Sequence, residues 1–388
     1  MVRHLLLLFM TEPAYPAARM VAAAVEEHFA HHLSAAREEG RRELAPLPEA
    51  RVVEAIIDVA FWASLRREEG RAPRISLAYA PPERTGPPLT LERRLPLTPA
   101  SLTRLAPAVE RPGIHLGVWV DGGELHVWGA TRTLPELCFV LEVVEPGLLV
   151  VKYRRGEEFG KFGNVAVLHG DEIKVVDEHG ASLPDCPALL TALLGFDARP
   201  TGDGAPNVLV QLAVSMRAHG RGGSLLVVPA GTRAWRDSIV QPVSYAVEPA
   251  FSRLAELMRH GPDGRSRLPW QEALRRTVDG IAGLTAVDGA TVISDRYELL
   301  AFGAKIGRAE GRAPVERVAV TEPVVGNAAA VVHPSQIGGT RHLSAAQFVH
   351  DQRDVLALVA SQDGRFTLFA WSPCEGMVHA HRVETLLL

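Results

Sequence analysis

Two short clusters in the later half of the chain carry residue types that could do chemistry. Gly338-Gly339-Thr340-Arg341-His342 stands directly before a stretch, 343 to about 351, that reads as a helix. Two glycines let the backbone approach a ligand closely. Thr340 offers a hydroxyl, Arg341 a planar fork of donors matched to phosphate, and His342 a ring that can donate or accept. A helix start just beyond adds N–H groups and a partial positive charge, which favour a phosphate. The second cluster, Asp288-Gly289-Ala290, is read as lying inside a strand over 286–294. A carboxylate in an apolar strand is costly unless paired or bound to a cation. Asp288 is therefore a candidate ligand for Mg2+ or Mn2+, which prefer oxygen and often bridge to substrate phosphates. Each cluster alone also has an ordinary reading: a Gly-Gly-Thr turn, and an Asp that opens a strand or caps a turn.

The combination is more specific. Asp-Gly-Ala, about fifty residues, Gly-Thr-Arg-His before a helix, then a strand running into Ser361-Gln362-Asp363-Gly364 resembles the diadenylate cyclase superfamily (the DisA N-terminal type) over about residues 207–372. The resemblance implies a nucleotide-binding α/β domain. Asp288, with Gly289 and Ala290, would hold the metal beside an attacking ribose. Gly339, Thr340, Arg341 and His342 would contact phosphates, and Asp363 would lie in an acidic turn. It further implies ATP or a cyclic dinucleotide as ligand, Mg2+ or Mn2+ as cofactor, and, for an active enzyme, a homodimer that joins two ATP into cyclic di-AMP. Within the superfamily the likeness is strongest to the predicted sensor branch called DACNV, on residues 221–229, 302–306 and 361–367, with 56–79 resembling that group's leader segment.

Departures from the family pattern shift the expectation. The family's second phosphate-binding Arg is Leu343 here, the first Glu of its acidic turn is Gln362, and Asp363 is one methylene shorter than Glu. A lost guanidinium costs about 1.5–3 kcal/mol of charge-assisted hydrogen bonding. Confined to a transition state, that is roughly a 10- to 150-fold rate penalty. The expected function is a sensor of ATP-like or cyclic-dinucleotide ligands with reduced or absent cyclase activity. An active diadenylate cyclase and a catalytically dead scaffold stand as alternatives.

These residues need a frame. Over 205–388 the pattern predicts a mixed sheet flanked by helices. Val208, Leu212 and Met216 repeat at helical spacing, 220–223 turns the chain, and Leu225-Leu226-Val227-Val228 reads as a strand buried on both faces. Helices are expected at about 248–260 and 269–281, and strands at 286–294 and 299–306. Strands at 355–360 and 366–371 flank Asp363-Gly364, a hairpin signal. Lys305, after a glycine, could reach a phosphate or simply stand in water. Before this domain, residues 1–105 read as an α-rich segment with helices in 17–42 and 49–69 and a strand at 75–79. Residues 106–200 read as a mostly-β module, including a hairpin over 114–128 that carries Trp119 and Trp128 on a partly buried face. Lys152 to Gly156 reads as a solvated loop. The Pro-, Gly- and Asp-rich 198–204 is the expected boundary.

Bulk properties narrow the partners. The chain has 388 residues, 47% hydrophobic and 22% charged, with net charge −4. A general DNA or RNA binder would show a basic excess; a phosphate-bearing small molecule needs only a few local cations. Cys138, Cys186 and Cys374 form no CxxC pair, and His379 and His381 have no metal partner in the sequence pattern. The apolar run after His4 is six residues, shorter than the ~7–15 of a signal peptide, and reads as a buried strand or helix start. No stretch approaches the ~20 apolar residues of a membrane span. The expected setting is the cytoplasm.

Overall fold

The Ala-rich start of the first helix, α1 (Pro16–Glu38), opens on a proline, whose fixed φ suits a first helical turn. Its stripe of Val21, Val25, Phe29 and Leu33 is buried. In α2 (Ala50–Ser64), Val53, Ile56, Ile57 and Ala60 do the same. Then follow β1 (Ile75–Tyr79), β2 (Leu89–Pro96), α3 (Pro99–Val109), β3 (His115–Asp121), β4 (Glu124–Thr131), β5 (Phe139–Glu145), β6 (Leu148–Arg154), β7 (Phe162–His169) and β8 (Glu172–Val175). The computed structural model describes residues 14–155, 162–177, 207–259 and 268–388. The run at the start of the chain, the 198–204 break and Cys186 lie outside the described residues.

The eight strands form one sheet in the order β2-β4-β3-β1-β5-β6-β7-β8. β1 runs parallel to β3, Leu77 facing Leu116, and antiparallel to β5, Leu77 facing Leu141. The segments read from sequence as an α-rich piece and a separate β module therefore interleave in one sheet. Neither could bury its apolar face alone: Ile56, Leu102, Leu116, Phe139 and Leu141 share one core. The crossover that a parallel pair requires passes through β2 and α3, neither of which the pattern announced. β2 is an edge strand with mostly exposed residues and no alternation, and α3 contains Pro107. Thr98 caps α3 by accepting the Ser101 N–H. Trp128 is buried and donates to the Ala80 carbonyl at 2.8 Å, as a sheet-face residue should. Lys152, expected in a solvated loop, sits buried within β6 and pairs with Glu142 at 2.5 Å.

The second unit begins with α4 (Val208–Ala218), capped by the Asn207 side chain. It continues through β9 (Gly223–Val228), β10 (Tyr245–Phe251), α5 (Arg253–Met258), α6 (Leu268–Leu284), β11 (Ala290–Ser294), β12 (Leu299–Ala304), β13 (Val318–Thr321) and β14 (Ala330–Val332). The last elements are α7 (Thr340–Gln352), β15 (Leu356–Ala360), β16 (Phe366–Ser372) and β17 (Met377–Arg382). Its nine strands run β10-β12-β11-β9-β15-β16-β17-β13-β14. All six residues of β9 are buried, as the continuous apolar run predicts, because a core covers each face of the sheet. The helix expected at 248–260 is instead β10 followed by the short α5. Pro249 cannot donate in a helix interior, whereas an edge strand tolerates it.

Both sheets grow outward from a parallel pair with the same neighbours. Around β1 and β3 the order is β2-β4-β3-β1-β5-β6-β7; around β9 and β11 it is β10-β12-β11-β9-β15-β16-β17. One link differs. β4 reaches β5 through 132–138, whereas β12 reaches β15 through 305–355, which contains β13, β14 and α7. No helix among the described residues is long and apolar enough to cross a membrane.

Candidate functional site

Strand register brings distant residues of the second unit to one end of its sheet. β9 and β11 start side by side, Ser224 facing Ala290, and β12 ends beside them, with Ala304 opposite Ala290. β15 ends there, Ala360 opposite Gly223, and turns through 361–365 into Phe366. β17 also ends there, with Arg382 opposite Thr367. At this amino end of the parallel pair stand Gly222, Asp288, Lys305, Gln362, Asp363 and Arg382.

α7 adds Arg341 from above the sheet. The helix starts at Thr340 with Gly339 at its cap position, and no side chain caps it, which leaves the helix end suited to an anion. Thr340 and Arg341 are exposed in the first turn, inside the helix rather than before it. A Cβ added at Gly222 would lie 3.2 Å from Arg341 Nη1, 3.2 Å from the Ala360 carbonyl and 3.3 Å from Gln362 Cγ. Gly222, at φ +70°, is thus the floor on which the guanidinium rests. It is a functional candidate that the sequence reading passed over as part of a turn. Its signal was the doubled glycine before an apolar strand.

Asp288 is placed differently from expectation. It lies ahead of β11, not within it, and its side chain is 89% exposed. The burial cost argued from sequence is absent, because the strand begins only at Ala290. Lys305 donates to Asp288 Oδ2. That hydrogen bond and charge, with a further contribution from Arg341, hold the Asp288 carboxyl below its ordinary range. Gly289 is pressed against the backbone of β12: a Cβ there would stand 2.4 Å from the Gly303 carbonyl carbon. Its glycine identity is therefore explained by strand packing. Ala290 is buried.

Two further candidates are engaged elsewhere. His342 turns into the core at 3% exposure and meets Phe369 edge-on at 6.0 Å. Burial pushes its imidazole below the ordinary value, with Asp363 opposing. It packs the start of α7 onto the sheet, and its buried Nε2 has no hydrogen-bond partner among the described residues. Asp363 is exposed, accepts the Arg365 N–H at 3.3 Å and pairs with the Arg365 guanidinium at 3.5 Å. Gln362 donates to the Arg221 carbonyl at 3.3 Å, tying the hairpin tip to the glycine turn. The outward set is therefore Thr340, Arg341, Lys305 and Asp288, on a floor of Gly222.

Among the described residues no group of three or more His, Cys, Asp or Glu is placed to hold a metal. Asp288 offers one carboxylate, itself paired with Lys305, and Asp363 is paired with Arg365. This donor set fits Mg2+ or Mn2+ only as an ion shared with ligand phosphates, a common arrangement for Mg2+.

Compared with known families, residues 42–132 match the model of a probable sensor domain, DACNV. The match runs from just before α2 through β4, all in the first unit, and includes the whole of the stretch 56–79 singled out as leader-like. No curated protein matches the chain.

Proposed function

We propose that the second unit binds a phosphate-bearing nucleotide, ATP-like or a cyclic dinucleotide, at the amino end of β9 and β11, and that the chain as a whole is a nucleotide sensor. The observation that carries this reading is the seat of Arg341: a guanidinium in the first turn of an uncapped helix, lying over the bare backbone of Gly222. A phosphate placed there meets helix N–H groups, the Thr340 hydroxyl and the Arg341 fork together. Lys305 stands nearby as a second cation, and Asp288 is the group through which a phosphate-bound Mg2+ or Mn2+ would be anchored. The match of residues 42–132 to a probable sensor domain supports a sensing role for the chain.

Two substitutions at this end favour binding over turnover. Leu343, 39% exposed, offers no charge where the resembled family has its second Arg. Gln362 spends its amide on the Arg221 carbonyl. The test is a thermal-shift titration of the full chain with ATP, a non-hydrolysable analogue and cyclic di-AMP, with and without Mn2+, alongside Arg341→Ala. At least one nucleotide should raise the melting temperature, and the variant should bind it roughly 10- to 150-fold more weakly. No shift with any nucleotide at millimolar concentration contradicts the proposal. Pyrophosphate release from ATP that Asp288→Asn abolishes would replace the sensor reading with cyclase activity.

A further inference from the structure

The opposite end of the same sheet holds an open cleft of about 320 Å³. It sits where β9 ends and β15 begins, on neighbouring strand residues Val227, Leu356 and Ala370. This is the end of the sheet opposite the proposed nucleotide site, where β9 meets its antiparallel neighbour β15. The volume is at the small end for ligand sites, the scale of a metabolite.

Its rim is strained and charged. Arg353 has φ +58°, and the Asp354 N–H bonds back to the Gln352 carbonyl at 2.7 Å, closing a tight turn around a non-glycine residue. Such a turn is rare and costs energy unless the surroundings hold it. Here it carries the Arg353 guanidinium to 4.4 Å from the ring centre of Trp371. Neither the Arg353 guanidinium nor the Asp354 carboxylate has an ion-pair partner among the described residues, although the two are adjacent in sequence. Asp295 accepts the Ala230 N–H through Oδ1 at 2.9 Å, which leaves its other oxygen available. One cation and two carboxylates therefore rim an apolar floor.

We infer that this cleft binds a free α-amino acid with an apolar side chain. The ligand carboxylate meets Arg353, its ammonium group meets Asp354 and Asp295, and its side chain covers Val227, Leu356 and Ala370. A single-sign ligand would leave part of this rim unpaired; a zwitterion satisfies both signs at once. The inference does not depend on the nucleotide reading, which concerns the other end of the sheet.

Calorimetry on the full chain with leucine, isoleucine, methionine and phenylalanine tests it, against leucinamide and N-acetyl-leucine as forms lacking one charge. At least one free amino acid should bind saturably at millimolar concentration or below, and each capped form about tenfold more weakly, the loss of one charge-assisted contact. Arg353→Gly should bind about tenfold more weakly as well. Glycine accepts the backbone conformation at 353, so this variant should melt no lower than the parent, which separates lost binding from lost fold. Absence of heat with every free amino acid overturns the proposal. So does equal binding of free and capped forms, or undiminished binding by Arg353→Gly.

Discussion

The two sheets of this chain share the order of seven strands and differ most in the link after the fourth, which in the second unit carries Lys305, Thr340 and Arg341. In the first unit β4 passes to β5 through a few residues after Thr131, and the same end of its sheet carries Ile114, the buried His115 and the hairpin tip at Gly147. In the second unit residues 305–355 intervene, and α7 within them sets Arg341 over Gly222. A twisted sheet around a parallel pair offers no phosphate seat by itself; the proposed seat needs the helix end and its cation. The comparison also separates two lines of support. The sensor-domain match covers part of the unit without this helix, while the phosphate-binding residue types lie in the other unit.

The strongest way to break the comparison is to loosen the inserted helix. Phe348 of α7 is fully buried in the core of the second unit. Phe348→Ala should cost that unit about 3–5 kcal/mol, read as an earlier unfolding transition in urea. A cost below about 1 kcal/mol would mean that α7 is an appendage and not part of the fold.

Acid should affect both units, because each carries a histidine that burial shifts strongly. Burial lowers His115 in the first unit and His381 in the second from 6.5 to about 4. The unfolded chain therefore takes up protons first as pH falls below 6.5, and stability is lost between there and about 4, with no further loss from these groups below that. Each histidine contributes up to about 3 kcal/mol. His115→Gln keeps a partner for Ser76, which hydrogen-bonds His115 Nδ1 at 2.7 Å, and should remove the first unit's share alone. Denaturation midpoints at neutral and mildly acidic pH measure this; an unchanged acid loss in the variant would assign the titration elsewhere.

A smaller effect contrasts two glycines. Gly222 and Gly147 both have positive φ, +70° and +76°, but only Gly222 has side-chain and carbonyl atoms waiting where a Cβ would go. Both Ala variants should lose about 1–2 kcal/mol for the left-handed backbone, and only Gly222→Ala should also weaken nucleotide binding. Equal nucleotide affinity in the two would remove Gly222 from the site. Smallest is a gain: Leu343→Arg returns a second guanidinium to an exposed position of α7. It should tighten nucleotide binding about fivefold, near 1 kcal/mol, and an affinity that falls would place the phosphate away from this turn.

Legibility in the sequence tracked locality. Helical spacing gave α2, α4 and α6 within a few residues, and the turn glycines gave the β3–β4 and β15–β16 hairpins, because both signals are short-range. The joining of residues 75–79 to 115–121 as parallel neighbours was not legible, since that contact is made only through the whole core. The end of β10 lies within the helix expected at 248–260, of which only α5 is helical. In the site, the Gly-Thr-Arg run announced a helix end correctly by type. The inward turn of His342, the Lys305–Asp288 pair and the closeness of Gly222 to Arg341 depend on which strands meet, and no local pattern encodes that.

The central claim is that residues far apart in sequence form a single nucleotide site at the amino end of β9 and β11. Hydrogen exchange of the full chain with and without saturating nucleotide reads it directly. Binding should slow exchange together at 221–223, 288–290, 339–343 and 361–364. Protection confined to 42–132, or to the opposite end of the sheet around 353–356, would contradict it.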